Sequence, residues 1–365
     1  MPSDKTCIGI IGGTGRVGSI IVDYLLNQRD CPEILVGGRT LYEKTHILRR
    51  YADKPLRYCS FDYNNENDLD AFCAQCSIII NTAGPSYMIN DKIALAALKN
   101  KSHYIDVGGY GRLYKMLEPY DNTIKAQHLC FIIGAGWMPG LSGVFSKSII
   151  EKYAKECDDT IFKIYYGAVD SWSYNSSYDL AVSSMENTRP YKYSYGKIQQ
   201  VSATTCTSNK TFPFIGFKKI CVPSFDEQLS LVAKSLKHVK EISSYVMVND
   251  FLSMCKYMFI KAFYKHRLDK AACLLQKDYI RLVNKENRWG SVICRVMQGG
   301  KSERIHYLYT NNNLLYTAVP AVVATNYILN DKMNAGLNCL CDSVDCNSFM
   351  ADIEQYGIKQ LLSYE

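Results

Sequence analysis

The chain has 365 residues, of which 47% are hydrophobic and 21% are charged, which is ordinary for a globular protein. The length predicts two domains of about 150 residues each. The formal net charge of +7 is spread along the chain without a run of five like charges, so nothing indicates a nucleic acid partner. No apolar stretch reaches the ~18 residues of a membrane span, so we expect no membrane partner.

The 15 cysteines are an odd number and follow no secretory signal sequence. This pattern predicts free thiols in the reducing cytoplasm rather than a disulfide framework. Two cysteine groups, at Cys73–Cys76 and Cys339–Cys346, lack the recognisable spacing of a four-ligand zinc site. We therefore predict buried thiols at these positions and no metal.

Short apolar runs alternate with helix-like stretches over the first 140 residues. Gly15–Asn27, for example, places its apolar residues on one face at helical spacing. Strands that alternate with helices predict a doubly wound parallel sheet of the Rossmann type in residues 1–140. The predicted strands are Cys7–Ile11, Glu33–Val36, Leu56–Ser60, Ser77–Asn81, His103–Val107 and Leu129–Ile133.

The pattern changes after Leu141, and residues 141–315 predict a second, mixed α/β domain. Phe225–Asn284 contains no Pro or Gly and is mostly helical in pattern, which gives a helical segment at about 225–285. An apolar helix is predicted at Tyr316–Leu329. The other predicted elements are a helix at Ser142–Lys155, a strand at Thr160–Val169, and hairpin strands at Arg288–Met297 and Glu303–Thr310.

The sharpest motif follows the first predicted strand. Gly13, Gly15 and Gly18 satisfy the pattern G-x-G-x-x-G between that strand and a helix, the context in which it marks a dinucleotide site. The first glycine makes the turn, the second admits the pyrophosphate, and the third allows close packing of helix on strand. The helix N-terminus then offers N–H groups and a partial positive charge to the phosphates.

The end of the second predicted strand distinguishes NADP from NAD. Domains that bind NAD usually have an Asp or Glu there, which hydrogen-bonds the ribose 2′-hydroxyl. This strand instead runs through two glycines into Arg39 and Thr40. The guanidinium of Arg39 suits a 2′-phosphate, and the hydroxyl of Thr40 is a further donor, so NADP(H) is favoured over NAD(H).

Three later strand ends provide further candidate residues. Thr82–Pro85 follow the fourth strand, and small residues there let a dinucleotide lie close to the backbone. Asp106 ends the fifth strand; it either binds a substrate amine or assists proton transfer, or it caps a helix or holds its loop by hydrogen bonds. Trp137 follows the sixth strand and either walls a substrate pocket or fills the domain junction.

Five segments together resemble the saccharopine dehydrogenase family, in its saccharopine reductase branch. The resemblance implies hydride transfer between NADP(H) or NAD(H) and an imine of an amino-acid-derived substrate. It also implies dimerisation through the second domain and C-terminal helices in residues 316–365 that return to the first domain. The segments are Gly12–Gly18, Gly38–Thr40, Asn81–Pro85, Tyr104–Gly108 and Gly136–Leu141.

The resemblance also implies roles for individual residues. It places Arg39 and Thr40 at the 2′-phosphate, and Asp106 with Val107 opposite the nicotinamide half. The pyrophosphate would be held by Gly13, Thr14, Gly15, Arg16 and Val17. The nicotinamide half would be lined by Thr82, Ala83, Gly84 and Pro85.

The residues that recognise the substrate are sought in the Tyr-rich segment Ser173–Tyr195. A substrate carboxylate favours an arginine, which Arg189 supplies, and Tyr178 offers a hydroxyl donor. Alternatively, these tyrosines are strand and interface residues. Asp106 is the candidate for proton transfer. Two other functions stay open: NADPH-dependent reduction of a C=C or C=O bond in specialised metabolism, and NADP(H) sensing without turnover.

Overall fold

The computed structural model describes residues 7–39, 50–109, 111–155, 159–186, 190–202, 208–212, 214, 218–224, 227–234, 239–299 and 302–364. The chain divides into two compact units. Met1–Ser142 and Leu314–Ile353 form the first unit, and Gly143–Asn313 and Glu354–Glu365 form the second.

The first unit is built on a parallel sheet, as predicted. Its first six strands are β1 Cys7–Ile11, β2 Glu33–Gly38, β3 Leu56–Ser60, β4 Ile78–Asn81, β5 His103–Asp106 and β6 Cys130–Ile133. They match the predicted strands to within two residues. The sheet runs in the order β6-β5-β4-β1-β2-β3, and every neighbouring pair is parallel. The order reverses beside β1, which is where doubly wound sheets bind ligands at their carboxyl edge.

Helices connect these strands and bury their apolar faces on the sheet. In the first of them, Ile21, Val22 and Leu25 are fully buried. Strands β1 and β4 are buried along their whole length, which explains their uninterrupted apolar sequences. The helices are α1 Gly18–Leu26, α2 Glu66–Cys73, α3 Ser86–Ile89, α4 Lys92–Lys99, α5 Gly111–Leu117 and α6 Asp121–Ala126. The next helix, α7 Leu141–Ala154, begins in the first unit and continues in the second.

The second unit contains the predicted mixed sheet. Its strands are β7 Ile161–Val169, β8 Tyr191–Ser194, β9 Lys197–Gln200, β10 Ser208–Lys210, β11 Lys219–Pro223, β12 Glu241–Val248, β13 Trp289–Gln298 and β14 Ser302–Thr310. Its helices include α8 Tyr174–Glu186, α9 Glu227–Lys234, α10 Phe251–Phe263 and α11 Leu268–Lys285. Strand β7 lies between β12, which is parallel to it, and β13, which is antiparallel. Strands β13 and β14 form the predicted hairpin.

The expectation of a mostly helical segment over Phe225–Asn284 needs a correction. A strand, β12, lies between α9 and α10 and pairs with β7, β8 and β11. Its residues Ile242, Tyr245 and Val246 are β-branched or aromatic, the types that favour strands. The absence of Pro and Gly made the whole segment compatible with a helix. Residues Glu241–Val248 form a strand instead, because they pair with strands that are distant in the sequence.

The C-terminal part also differs from expectation. Its elements are α12 Asn313–Leu329, β15 Gly336–Cys339, α13 Leu340–Ser343, α14 Cys346–Glu354 and β16 Gln360–Tyr364. Strand β15 extends the first sheet beside β6, and the first unit includes residues up to Ile353. The final strand β16 instead pairs with β14 in the second unit. It covers a sheet edge that would otherwise present unpaired backbone groups.

None of the helices in the described ranges combines the length and the hydropathy that a membrane crossing requires. Cys73 and Cys76 are buried in the core of the first unit, as are Cys341 and Cys346.

A buried histidine in the second unit gives the first testable prediction. His306 on β14 is 2% exposed, and its ring nitrogens contact the hydroxyl of Tyr153 at 3.0 Å and the amide of Gln360 at 3.2 Å. Burial, with added repulsion from Lys152 and Arg304, lowers its pKa to about 4. The neutral ring accepts a hydrogen bond from the Gln360 amide at Nδ1. In a protonated ring Nδ1 carries a proton, so its N–H would face the N–H of the Gln360 amide.

Because an unfolded histidine has a pKa of about 6.5, the unfolded chain binds a proton that the folded chain excludes. This contribution to stability is present above pH 6.5 and is lost as the pH falls towards 4. We expect the second unit to lose about 2 kcal/mol between pH 7 and pH 5 from this residue alone. Urea unfolding at both pH values should show a smaller loss in His306→Gln. An equal loss in both proteins would contradict the prediction.

Candidate cofactor site

The candidate site lies at the carboxyl edge of the first sheet. Parallel strands end at the same edge, so the loops after β1, β2, β4, β5 and β6 all meet there. Ile11 at the end of β1 pairs with Asn81 at the end of β4, and Asn81 pairs in turn with Asp106 at the end of β5. The structure therefore brings together most of the predicted cofactor residues.

The loop after β1 is shaped by its glycines. Gly12 has a φ of +81°, so the left-handed turn lies one residue before Gly13, to which the motif assigned it. The loop closes through hydrogen bonds from Gly12 N to Gly37 O at 2.8 Å and from Gly15 N to Gly12 O at 2.8 Å. Gly15 and Arg16 are exposed at its tip.

Gly18 at the start of α1 shows why the third glycine of the motif is needed. A Cβ atom there would lie 2.6 Å from Gly13 Cα and 2.7 Å from the hydroxyl of Thr82, and closer still to Gly12 O. No side chain fits, so α1 approaches β1 and β4 closely. This approach places the first turn of α1 directly behind the loop.

Donors for a diphosphate lie on the same loop. Among the described residues, the structure provides no acceptor for the backbone N–H of Thr14 or of Val17. Both residues are half-buried and flank the exposed tip. Unpaired N–H groups next to a helix N-terminus attract anions, because their dipoles point at the ligand.

Arg39 lies at the predicted end of β2. It is exposed and directly follows Gly38, where an added Cβ would lie 3.5 Å from the hydroxyl of Thr14. The end of β2 and the glycine loop are thus neighbours, as a shared adenosine ribose requires. The pKa of Asp62 after β3 is lowered, first by hydrogen bonds from Asn64 and further by the charge of Arg39. Thr40 lies outside the described residues.

A buried polar network joins the ends of β4 and β5. Asp106 is 2% exposed, and its Oδ2 accepts from Asn81 Nδ2 at 2.9 Å and from the hydroxyl of Tyr104 at 2.5 Å. Its Oδ1 accepts from the backbone N–H of Gly108 at 2.9 Å and from that of Gly109. A carboxylate that accepts from four donors holds its loop in place. These contacts therefore favour the interpretation that Asp106 holds its loop by hydrogen bonds over the interpretation that it transfers a proton.

Asn81 extends this network to the loop after β4. Its Oδ1 accepts from Ala83 N at 3.0 Å, while the hydroxyl of Thr82 donates to Ile11 O at 2.9 Å. Pro85 and Val107 are buried beside these contacts. The roles of Asn81 and Tyr104 were missed in the sequence, where the only signal was that the strands of Asn81 and Asp106 end at one edge.

Comparison with known proteins agrees with this geometry. Residues 8–128 match the family model described as the saccharopine dehydrogenase NADP binding domain. Residues 8–128 are thus similar to the NADP binding domain of the saccharopine dehydrogenase family. Apo histidine-tagged saccharopine dehydrogenase (L-Glu forming) from Saccharomyces cerevisiae shares its fold, with a TM-score of 0.70 and 14% identity over 99% of this chain and 100% of that one.

A curated relative matches part of the chain. The "Lipid droplet localized protein" of Caenorhabditis elegans is 26% identical over 137 residues, which are 35% of this chain and 32% of the relative. The match therefore spans about a third of each protein.

The predicted substrate residues that the structure describes lie in different units. Trp137 follows β6 in the first unit, with its ring 6.0 Å from that of Tyr316. Its indole N–H is buried without an acceptor among the described residues. Tyr178 lies on α8 of the second unit, half-buried, with its pKa raised first by burial and then by Asp269. Arg189 lies outside the described residues.

Proposed function

We propose that this chain is an NADP-dependent oxidoreductase of the saccharopine dehydrogenase type, which reduces or forms an imine at an amino-acid-derived substrate. The observation that carries the proposal is a glycine loop that matches a saccharopine dehydrogenase NADP binding domain and lies next to the end of β2. The residue at that end is Arg39, and not the Asp or Glu that is usual in domains that bind NAD. The loop suits a diphosphate, and the guanidinium suits the 2′-phosphate that distinguishes NADP from NAD.

Different residues of the chain bind different parts of the cofactor. The backbone from Gly13 to Val17 holds the pyrophosphate, Arg39 pairs with the 2′-phosphate, and Thr82–Pro85 lie along the nicotinamide half. A nicotinamide cofactor held by these residues would supply the hydride for reduction of an imine. The network around Asp106 keeps the loops after β4 and β5 in place, so the reacting groups are positioned.

The indole N–H of Trp137 favours the hypothesis that the substrate is polar. A buried N–H without an acceptor costs free energy, and an oxygen of a bound substrate would satisfy it. We therefore propose a small-molecule substrate with amino or carboxylate groups. Oxidation of NADPH with keto acids and amino acids tests this. Tight NADPH binding without oxidation in the presence of any such pair would contradict the imine reaction and favour a binding function.

We expect Arg39→Ala to weaken NADPH binding by about 10- to 100-fold and to leave NADH binding unchanged. The expectation follows because a charge-assisted hydrogen bond to phosphate contributes about 1.5–3 kcal/mol. Isothermal titration calorimetry with both cofactors measures the effect. Arg29→Ala is the matched control, since Arg29 is also exposed but precedes β2 at the opposite edge of the sheet. Equal losses for NADPH and NADH would contradict the role of Arg39.

The proposal includes a location in the cell and an oligomeric state. The described cysteines are free, which suits the reducing cytoplasm that we propose as the location. We also propose a homodimer, formed through the second unit. Light scattering coupled to size-exclusion chromatography measures the mass of the assembly.

A further inference from the structure

Helix α10 in the second unit turns a row of apolar side chains towards solvent. We name this row the apolar stripe. Phe251 is 68% exposed, Met258 63% and Phe263 71%, fractions that are unusual for such large apolar residues. The stripe consists of Phe251, Leu252, Cys255, Met258, Phe259, Ala262 and Phe263, all of them exposed.

The spacing makes the stripe one continuous surface. Its members recur at i, i+1, i+4, i+7, i+8, i+11 and i+12, which is one face of an α-helix. The rings of Phe259 and Phe263 are in contact, with their centroids 4.9 Å apart. The opposite face packs inward through Ile260, which clusters with Ala271 and Leu275 of α11. The helix is thus apolar on both faces, although only one face is covered by the described chain.

Ion pairs hold α10 in place. Asp250 caps the helix by accepting from Ser253 N at 2.8 Å, and Arg281 of α11 binds the same carboxylate at 2.9 Å. Lys256 pairs with Asp278 of α11 at 2.5 Å. Arg281 keeps the pKa of the Asp250 carboxyl well below its usual range, so the anchor stays charged at neutral pH. The stripe is therefore displayed by an ordered helix and needs no rearrangement to be exposed.

The segment around the stripe carries charge of one sign. From Phe251 to Leu268 the sequence contains no Asp or Glu. It contains four permanent cations and His266, and Lys265, His266 and Arg267 are exposed at the end of the helix. The cations are Lys256, which is already paired with Asp278, and Lys261, Lys265 and Arg267.

We propose that α10 docks on an anionic lipid surface, lying in its plane with the apolar stripe inserted below the headgroups. An interfacial helix needs an apolar face and neighbouring cations, and stable association takes both signals. A second copy of the chain fits this surface less well. A two-fold contact uses the same patch on both partners, so it would bring two sets of cations into one interface.

The proposal goes beyond the oxidoreductase activity, and it concerns a surface attachment that needs no spanning helix. The expectation of no membrane partner was based only on the absence of an apolar stretch long enough to span a membrane. The apolar stripe escaped sequence analysis because apolar residues at helical spacing are also what a buried helix shows.

Co-sedimentation with vesicles tests the proposal. The full chain should bind vesicles of phosphatidylcholine with 30% phosphatidylserine, and binding should weaken as salt is raised. The triple variant Phe251→Ser, Phe259→Ser, Phe263→Ser should bind at least about tenfold more weakly, because burying an aromatic side chain contributes well over a factor of ten. The matched control is Tyr364→Ser, since Tyr364 is 69% exposed on β16, and it should bind as the unaltered chain does.

A charge variant separates the two signals. Lys265→Glu with Arg267→Glu should weaken binding to the anionic vesicles by about 25-fold, at about fivefold for each cation. It should leave binding to pure phosphatidylcholine unchanged. Circular dichroism and an unchanged Kd for NADPH show that each variant is folded, and Phe263→Ser alone replaces the triple variant if that one is not.

Three outcomes would overturn the proposal. In the first, the unaltered chain stays in solution with anionic vesicles. In the second, the stripe variants bind as tightly as the unaltered chain. In the third outcome the stripe variants turn a dimer into a monomer while no form binds vesicles, which assigns the stripe to a second copy.

Discussion

Gly18→Ala should lose cofactor binding and destabilise the first unit. Alanine favours a helix over glycine by about 1 kcal/mol, so propensity alone predicts a gain. The new Cβ would meet Gly12 O, Gly13 Cα at 2.6 Å and the hydroxyl of Thr82 at 2.7 Å. Two of these atoms are backbone and have no rotamer to change, so the overpacking cost of about 3 kcal/mol outweighs the gain.

To relieve these contacts, α1 must move away from β1, and the loop before it must open. We expect a net loss of about 2 kcal/mol in the free energy of unfolding. NADPH binding should weaken by about 100-fold, or about 2.7 kcal/mol, because the N–H groups of the loop lose their alignment. Urea unfolding and calorimetry measure the two effects.

Gly38→Ala provides the control at the same edge of the sheet. A Cβ there would make an ordinary contact at 3.5 Å with the hydroxyl of Thr14, so stability should be almost unchanged. If Gly18→Ala were as stable as the unaltered chain and bound NADPH as tightly, the close approach of α1 would have no functional importance.

The cofactor half of the molecule was predictable because its signals are local. Each strand of the first sheet is a short apolar run, and the glycine spacing predicts the turn and the close packing of helix on strand within seven residues. Even here the positive φ falls on Gly12 rather than on Gly13, the glycine to which the motif assigned the turn.

What the sequence left undetermined depends on contacts between distant residues. Strand β12 is decided by its pairing with β7 and β11, and β15 joins β6 across more than 200 residues. Similarly, the role of Asp106 depends on donors from β4, β5 and the following loop, which meet only in the folded sheet. No local pattern distinguishes such an acid from a catalytic one.

Asp106→Ala should be the most destabilising change at this edge of the first sheet. It removes the acceptor of four hydrogen bonds and leaves buried donors on Asn81, Tyr104 and the backbone of Gly108 and Gly109. Each unsatisfied buried donor costs about 1–3 kcal/mol, although neighbours relax, so we expect a loss of about 4 kcal/mol. Chemical unfolding measures it, and Asp62→Ala is the exposed control at the same edge.

Asp106→Asn separates an anchor from a proton donor. The new amide can keep its oxygen towards Gly108 and Gly109, and the Tyr104 hydroxyl can turn to donate elsewhere, but the Asn81 amide then faces another NH₂. Asn81 cannot reverse its own amide without losing Ala83 N. We expect a loss of about 2 kcal/mol, with NADPH binding weakened and the pH profile of kcat unchanged. If Asp106→Asn kept its stability but removed one limb of that profile, proton transfer by Asp106 would replace the anchoring role, because a purely structural change does not remove a titrating group.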